Sequence, residues 1–201
     1  ENGDPLWYMD EEDENHNPTG KRVTTNDYGS ADYYYVNKSS LPKVYGGFNT
    51  SLSWKGFDLS AIFAYSIGGY IYNRDITMIL HNGSLEGRDW STEILKRWTP
   101  DNRNTDVPAL STTTNNWNSA STRFLQNNSY MRLKNLTLSY NLPKQWISKL
   151  SLSSVQVYVQ GDNLFTIHRN QGLDPEQGIT GITYYRYPAM RTISGGINVS
   201  F

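Results

Sequence analysis

The chain has 201 residues, with 18 basic and 19 acidic side chains, a net charge of −1 and no cysteine. That balance gives no global attraction to nucleic acid, and the missing thiols exclude a disulfide framework, a thiolate metal site and a cysteine nucleophile. Fifteen Tyr and six Trp stand beside a mean hydropathy of −0.64, an aromatic-plus-polar bias unlike the Leu/Ile/Val-rich interior of an ordinary soluble domain. No run of about 18 apolar residues is present, so no membrane-spanning helix is predicted, and the acidic opening at Glu1 does not read as a signal peptide.

Residues 1–42 hold nine acids and three bases, a net −6, which leaves +5 for the remainder. They read as an acidic loop, with a short strand expected around Tyr33–Val36. A hairpin is predicted over 43–69. Phe48, Thr50, Leu52 and Trp54 alternate with polar or small residues, and Phe57, Leu59, Ala61, Phe63 and Tyr65 do so again, opposite Asp58 and Ser60. Side chains in a strand alternate faces, so this is period-2 patterning, and Lys55-Gly56 is short enough for a tight turn. Residues 70–125 read as a long loop with one helical candidate, Trp90–Trp98, and a Pro/Asn/Thr-rich stretch from Pro100 to Ser121. A second hairpin is predicted over 126–166, with its turn near 143–150. In it Leu136, Leu138 and Tyr140 share a face, and Val155, Val157 and Val159 oppose Gln156, Tyr158 and Gln160. Arg132 and Lys134 have the same parity as Leu136, so that end is expected outside any hydrocarbon layer. Residues 167–188 form another loop, and 189–201 a last strand, with Ile193, Ile197, Val199 and Phe201 opposite Ser194, Asn198 and Ser200.

Each alternating run is about 10 residues, the span of a tilted strand across a bilayer. The connections run long, short, long, short, long, as they do in outer-membrane barrels with short periplasmic turns and long extracellular loops. A soluble β-sandwich has no reason for that order. The predicted fold is therefore all-β: antiparallel strands of a transmembrane β-barrel with long extracellular loops, in the outer membrane. The periplasm would hold the Lys55-Gly56 turn, the Pro143 turn and Phe201; the three long segments would lie outside. Five strands cannot close a barrel, for which about eight is the minimum, and open edges in lipid leave unsatisfied backbone groups. The chain is accordingly expected to be part of a longer polypeptide or to complete a barrel with other chains.

The ending Ser194-x-Gly196-x-x-Val199-x-Phe201 resembles the signal that outer-membrane proteins present to the barrel assembly machinery. Further stretches resemble the C-terminal region of the SusC/RagA family of TonB-dependent outer-membrane transporters of Bacteroidetes. They include Leu41-Pro42-x-x-Tyr45-Gly46-Gly47-Phe48, Trp54-x-Gly56-Phe57-Asp58-Leu59-Ser60, Gly68-Gly69-Tyr70-Ile71-Tyr72-Asn73 and Arg97-Trp98-Thr99-Pro100. Downstream lie Ser129-Tyr130-Met131-Arg132-Leu133-Lys134-Asn135-Leu136, Gly161-Asp162-Asn163-Leu164-Phe165 and Gly172-Leu173-Asp174-Pro175-Glu176. The resemblance implies the last five strands of a 22-stranded barrel. It also implies uptake of a glycan or peptide together with a SusD-like surface lipoprotein, and energy from TonB through a segment absent from this chain. The expected partners are thus that lipoprotein, TonB, the rest of the barrel and its plug, outer-membrane lipid and an oligosaccharide or peptide, with no nucleic acid. The rival readings are a non-transporting structural barrel and a soluble β-rich, carbohydrate-binding module.

No cofactor, metal site or enzyme chemistry is predicted. The acidic run Asp10–Glu14 lacks the glycine of a calcium loop, since Asn15 stands there. His16, His81 and His168 are scattered without ligand spacing, and no Gly-x-Ser-x-Gly elbow occurs. Asp58, Ser60, Gln156, Tyr158, Gln160 and Asn198 are the lumen-lining candidates. Trp90, Trp98, Trp117, Tyr184 and Tyr185 are the loop candidates for ligand or partner contact, against the alternative that they build small loop cores. Trp54, Tyr65, Tyr140, Phe165 and Phe201 are expected in interface girdles. Asn163 is expected to cap a strand end.

Overall fold

The computed structural model describes residues 2–83, 85–111 and 116–201, so Glu1 and part of the Pro/Asn/Thr-rich stretch lie outside the described residues. The chain forms two compact units. One comprises Lys38–Ile71, Gln126–Gly181 and Tyr185–Phe201; the other comprises Glu1–Asn37, Tyr72–Leu125 and Ile182–Tyr184.

The first unit is built on an antiparallel five-stranded sheet. Its strands are β3 (Val44–Trp54), β4 (Phe57–Ile67), β7 (Tyr130–Asn141), β8 (Ser154–His168) and β10 (Thr192–Ser200), in the order β10-β8-β7-β4-β3. Register sorts the side chains into rows. Trp54, Phe57, Tyr140, Val157 and Ile197 stand side by side, as do Leu52, Leu59, Leu138, Val159 and Gly195. The opposite face carries Ser53, Asp58, Ser139, Tyr158 and Gly196, then Ser51, Ser60, Thr137, Gln160 and Ser194. In these rows one face is apolar and the other polar, which is what strict alternation in sequence demands; Ile62, paired with Asn49 and Asn135, is an aliphatic exception on the polar side.

The burial of these faces is inverted relative to a soluble protein. Along β8, Val157 and Val159 are exposed while Gln156, Tyr158 and Gln160 are half-buried; along β4, Phe57 and Leu59 are exposed while Asp58 and Ser60 are half-buried. A contiguous exposed apolar face of this extent is a binding or membrane surface, since water-soluble monomers rarely expose patches above a few hundred Å².

Two glycines on this sheet make room for tyrosine rings. A Cβ on Gly196 would lie 2.7 Å from the Tyr158 hydroxyl oxygen, and one on Gly46 would lie 3.1 Å from that of Tyr65. Each glycine is the cross-strand neighbour of its tyrosine, so the ring covers backbone that would otherwise stand bare. We expect Gly196→Val to displace the Tyr158 ring and loosen β10 from β8. Thermal melts of the whole protein in detergent would detect a loss of about 1–3 kcal/mol, the usual range for overpacking; an unchanged melt would refute the close fit.

The β7–β8 pairing shifts register between Leu133/Asn135, where Leu133 faces Phe165 and Asn135 faces Asp162. On β4 the register shifts at Ile62/Phe63, again passing over Lys134. The extra residues at this double irregularity are Lys134 on β7 and one of the Asn163-Leu164 pair on β8. Asn163 takes φ 51°, the left-handed conformation that bulges and asparagine favour. The expected strand-end cap at Asn163 is thus corrected: β8 continues to His168, and the Asn163 side chain donates to the Met190 carbonyl (3.2 Å). The expected shared parity of Arg132 and Leu136 is corrected as well. The bulge turns Arg132 to the polar side, opposite Thr166, and sets Leu133 and Met131 in line with Phe63 and Tyr65.

In the other unit, residues 1–42 are not the strand-poor loop expected. A hairpin forms from β1 (Trp7–Glu12) and β2 (Pro18–Thr25), paired with Asp10 opposite Arg22. The acidic run supplies its turn: Asp13 accepts the backbone N–H groups of Asn15 (2.8 Å) and Asn17 (2.9 Å). Those amides hold its carboxyl below the usual range. The short strand expected around Tyr33–Val36 does not form; there the Tyr34 hydroxyl donates to Asp10 (2.8 Å) and Arg22 lies 4.0 Å from its ring.

The expected helix Trp90–Trp98 reduces to a 3-10 turn, Thr92–Lys96, capped by Ser91. The regular helix lies earlier: α1 (Arg74–Ile79) follows β5 (Tyr70–Asn73), and Asn73 caps it by accepting from Ile76 N (3.1 Å). Two short strands, β6 (Leu125–Asn127) and β9 (Ile182–Thr183), complete the elements of sheet, and β9 runs parallel to β5. The turn near 143–150 does form a helical stretch, α2 (Lys144–Ile147) with a 3-10 continuation. The final strand ends at Ser200, one residue before Phe201.

Candidate functional site

The polar face of the sheet is a hydrogen-bonded ladder. At one end Asp58 accepts from Ser53 and from Asn141 Nδ2 (2.7 Å). Across the middle, Gln156 Nε2 donates to Ser139 (3.3 Å) and its Oε1 accepts from Asn198 (3.2 Å). Further along, Asp162 accepts from Asn135 (2.8 Å) and Gln160 (3.2 Å), while Thr137 donates to Asn135 (2.9 Å). The candidates Asp58, Gln156, Tyr158, Gln160 and Asn198 therefore lie on one surface with Ser60. The surface is rich in amides and hydroxyls, groups that can both donate and accept.

Beyond the bulge an ionic latch closes on this face. Arg132 is only 3% exposed. Its Nε donates to Thr166 Oγ1 (2.9 Å), one terminal nitrogen to Glu176 (2.8 Å) and the other to Asp174 (2.5 Å). Lys134 reaches the same Glu176 carboxylate at 2.7 Å. Asp174 also accepts the N–H groups of Ala189 (2.6 Å) and Glu176 (2.9 Å). Burial pushes the Asp174 carboxyl up, but those amides and the Arg132 guanidinium outweigh it and hold it below the usual range. Sequence reasoning missed this group, although the Gly172-Leu173-Asp174-Pro175-Glu176 run and the strand-borne Arg132 carried its parts.

The loop aromatics separate into two kinds. Trp117 is buried (2% exposed) among Leu80, Ile94 and Val107, so it builds a loop core and is withdrawn as a ligand contact. Trp98 packs on Gly3, where a Cβ would come within 2.5 Å of the ring. Trp90, Tyr184 and Tyr185 are exposed. Tyr184 lies under Arg74, 4.8 Å from its guanidinium, and Trp90 donates its indole N–H to His81 Nδ1 (3.3 Å).

His81 is buried, and the same Nδ1 faces the N–H groups of Gly83 (3.2 Å) and Leu85 (3.4 Å). Burial lowers its pKa from the ordinary value. Because the folded loop favours the neutral ring, its stabilisation is complete above about pH 6.5 and is lost as pH falls through the lowered value. Amide exchange at Gly83 and Leu85, corrected for intrinsic rates, should therefore rise on acidification below that point. Flat protection between pH 7.5 and 5 would contradict the assignment.

On β10, Ser194 and Gly196 sit on the polar face opposite Gln160 and Tyr158, Val199 stands on the apolar face opposite Val155, and Phe201 is exposed beyond the strand. No group of three or more His, Cys, Asp or Glu side chains that could hold a metal occurs among the described residues.

No family model matches the chain. It is similar to TonB-dependent receptor P3 of Formosa agariphila, with 35% identity over 166 residues, 77% of this chain and 16% of that protein. TonB-dependent receptor SusC of Bacteroides thetaiotaomicron is 27% identical over 198 residues, 96% of this chain and 19% of that protein. Among solved structures, that of the RagAB peptide transporter superposes with a TM-score of 0.82 at 34% identity, covering 99% of this chain and 21% of the matched one. The RagAB peptide importer in its closed-closed state superposes with a TM-score of 0.79. The chain thus spans about a fifth or less of the length of the proteins it matches. An antiparallel sheet, an exposed apolar face, a hydrogen-bonded polar face and these likenesses agree: the chain belongs to the SusC/RagA family of TonB-dependent receptors and forms part of the β-barrel.

Proposed function

We propose that the protein to which this segment belongs is an energised nutrient importer of the outer membrane, driven through TonB and working with a SusD-like surface lipoprotein. The observation that carries this reading is the inverted sheet: exposed Val157 and Val159 for lipid, half-buried Gln156, Tyr158 and Gln160 for a wet interior. In this reading Asp58, Ser60, Gln156, Tyr158, Gln160 and Asn198 line the lumen beside the plug. The segments 1–42, 70–125 and 167–188 face outward, where Trp90, Trp98, Tyr184 and Tyr185 are available to substrate or to the lipoprotein. Ser194, Gly196, Val199 and Phe201 engage the barrel assembly machinery, and TonB acts through another part of the protein. The likeness to a peptide importer at 34% identity favours a peptide as cargo, with an oligosaccharide as the second candidate. A soluble module would have to cover its apolar face, which is exposed among the described residues.

Uptake of fluorescent peptides and oligosaccharides by cells carrying the whole transporter tests the proposal. Uptake should vanish when TonB is deleted and persist when it is restored. Uptake indifferent to TonB would overturn it.

A further inference from the structure

The end of the sheet that carries the two short turns has a chemistry the transport reading does not use. In the β3–β4 turn, Lys55 and Gly56 take φ 47° and 87°, the positive values a type I′ turn requires. Asparagine or glycine suits the first of these positions; lysine adopts it at a conformational cost. Its ammonium lies 4.9 Å from the centroid of the Trp54 ring. Trp54 belongs to the apolar row with Phe57 and Tyr140, so the charge sits on the lipid side of the sheet and away from the lumen. The nearest carboxylate in sequence, Asp58, is on the opposite face and is engaged by Ser53 and Asn141.

The neighbouring turn repeats the pattern. Asn141 N donates to the Gly56 carbonyl (2.8 Å), which brings the two turns together. From there the chain presents Lys144, Trp146 and Lys149, all exposed, while Ile147 anchors the short helix from within. No acidic residue occurs between Leu142 and Gly161. No carboxylate lies within ion-pair distance of Lys55, Lys144 or Lys149 among the described residues. Three unneutralised ammonium groups and two exposed indoles therefore edge an apolar face. Indoles favour the headgroup level of a bilayer, and lysines beside them attract anionic headgroups at short range.

We propose that this end of the sheet is a docking surface for anionic phospholipid headgroups, with Lys55 over Trp54 as its centre and Lys144 and Lys149 as its flank. The proposal rests on the membrane reading above and on the two short turns facing the periplasm. The phosphate diester sits between the ammonium groups while its acyl chains run along Phe57, Leu59 and Val157. Asparagine at position 55 keeps the turn and removes the charge, so Lys55→Asn separates headgroup binding from folding.

The test is native mass spectrometry of the whole transporter, delipidated and then offered phosphatidylglycerol, phosphatidylcholine and lipid A. Phosphatidylglycerol should be retained in preference to phosphatidylcholine. Retention should fall roughly fivefold for each lysine removed in Lys55→Asn, Lys144→Gln and Lys149→Gln, and all of it should weaken with salt. Undiminished retention in the triple variant overturns the proposal, as does a preference for lipid A, which would put this end in the outer leaflet. The topology beneath it is read separately. Lys149→Cys should resist a membrane-impermeant maleimide in intact cells and react after permeabilisation; labelling from outside would defeat the orientation itself.

Discussion

Arg132→Met is expected to release the segment 169–181 from the sheet and to raise its cleavage by protease about a hundredfold or more in the otherwise folded transporter. The substitution keeps much of the arginine's bulk, so packing changes little. It leaves Asp174, with its side chain only 9% exposed, and the half-exposed Glu176 facing one another without a buried cation. Breaking a buried pair from one side costs about 3–5 kcal/mol, because the orphaned charge stays in poor solvent. That is about a hundred- to several-thousandfold in the population of the open loop. Lys134 softens the loss at Glu176 but touches no oxygen of Asp174. Arg132→Lys should fall between, since one ammonium cannot span both carboxylates and Thr166 as the fork does. Neutralising all three groups together, Arg132→Met with Asp174→Asn and Glu176→Gln, should recover most of the protection.

The latch also carries a sign in pH. Asp174 titrates below the usual carboxylate range, so its contribution is complete above that range and disappears only as pH falls through the lowered value. Mild acidification to pH 5 should leave segment 169–181 protected while it loosens the turn around His81. Cleavage of 169–181 that rose in step with exchange at Gly83 would mean that the ionic latch does not hold it.

The strands were legible because alternation survives any context: Val155, Val157 and Val159 against Gln156, Tyr158 and Gln160 permits one arrangement in a sheet with two unlike sides. Asp58, Gln156, Gln160 and Asn198 follow from that parity, and they do share a face. Parity fails where one residue is inserted. Lys134 and Asn163-Leu164 carry no hydropathy signal for a bulge, so parity alone places Arg132 on the wrong side. The latch was invisible for the same reason, since its carboxylates come from 42 and 44 residues further along the chain. Loop cores were hidden because their packing is non-local. Trp117 looks like any exposed loop aromatic until Leu80, Ile94 and Val107 converge on it. The hairpin Trp7–Thr25 was hidden by its charges, whose cross-strand partner Arg22 and turn-forming Asp13 make an acidic run structural.

Two adjacent residues on β8 give the sharpest contrast in the molecule. Val159 is 48% exposed on the apolar face, between Leu138 and Gly195, and Gly195 offers it no cover. Gln160 points the other way, into the ladder, with its amide on Asp162. Arginine near the bilayer midplane costs about 2–4 kcal/mol on the lipid face, whereas the lumen side of a barrel accepts it. Val159→Arg in the whole transporter should therefore lower its level in the outer membrane and its unfolding midpoint in lipid. Gln160→Arg should do neither, because the new cation meets Asp162 two residues further along the polar side of the same strand. The two variants have the same added charge one residue apart, so net charge cannot account for a difference between them, and the roughly 1 kcal/mol span of strand propensity is smaller than the expected cost on the lipid face. Equal behaviour in assembly and in urea unfolding from liposomes would mean that the apolar face does not meet lipid. A soluble sheet would react in the same direction only if a partner covered Val159. In that case, unlike a barrel, the wild-type segment should stay dispersed in buffer without detergent.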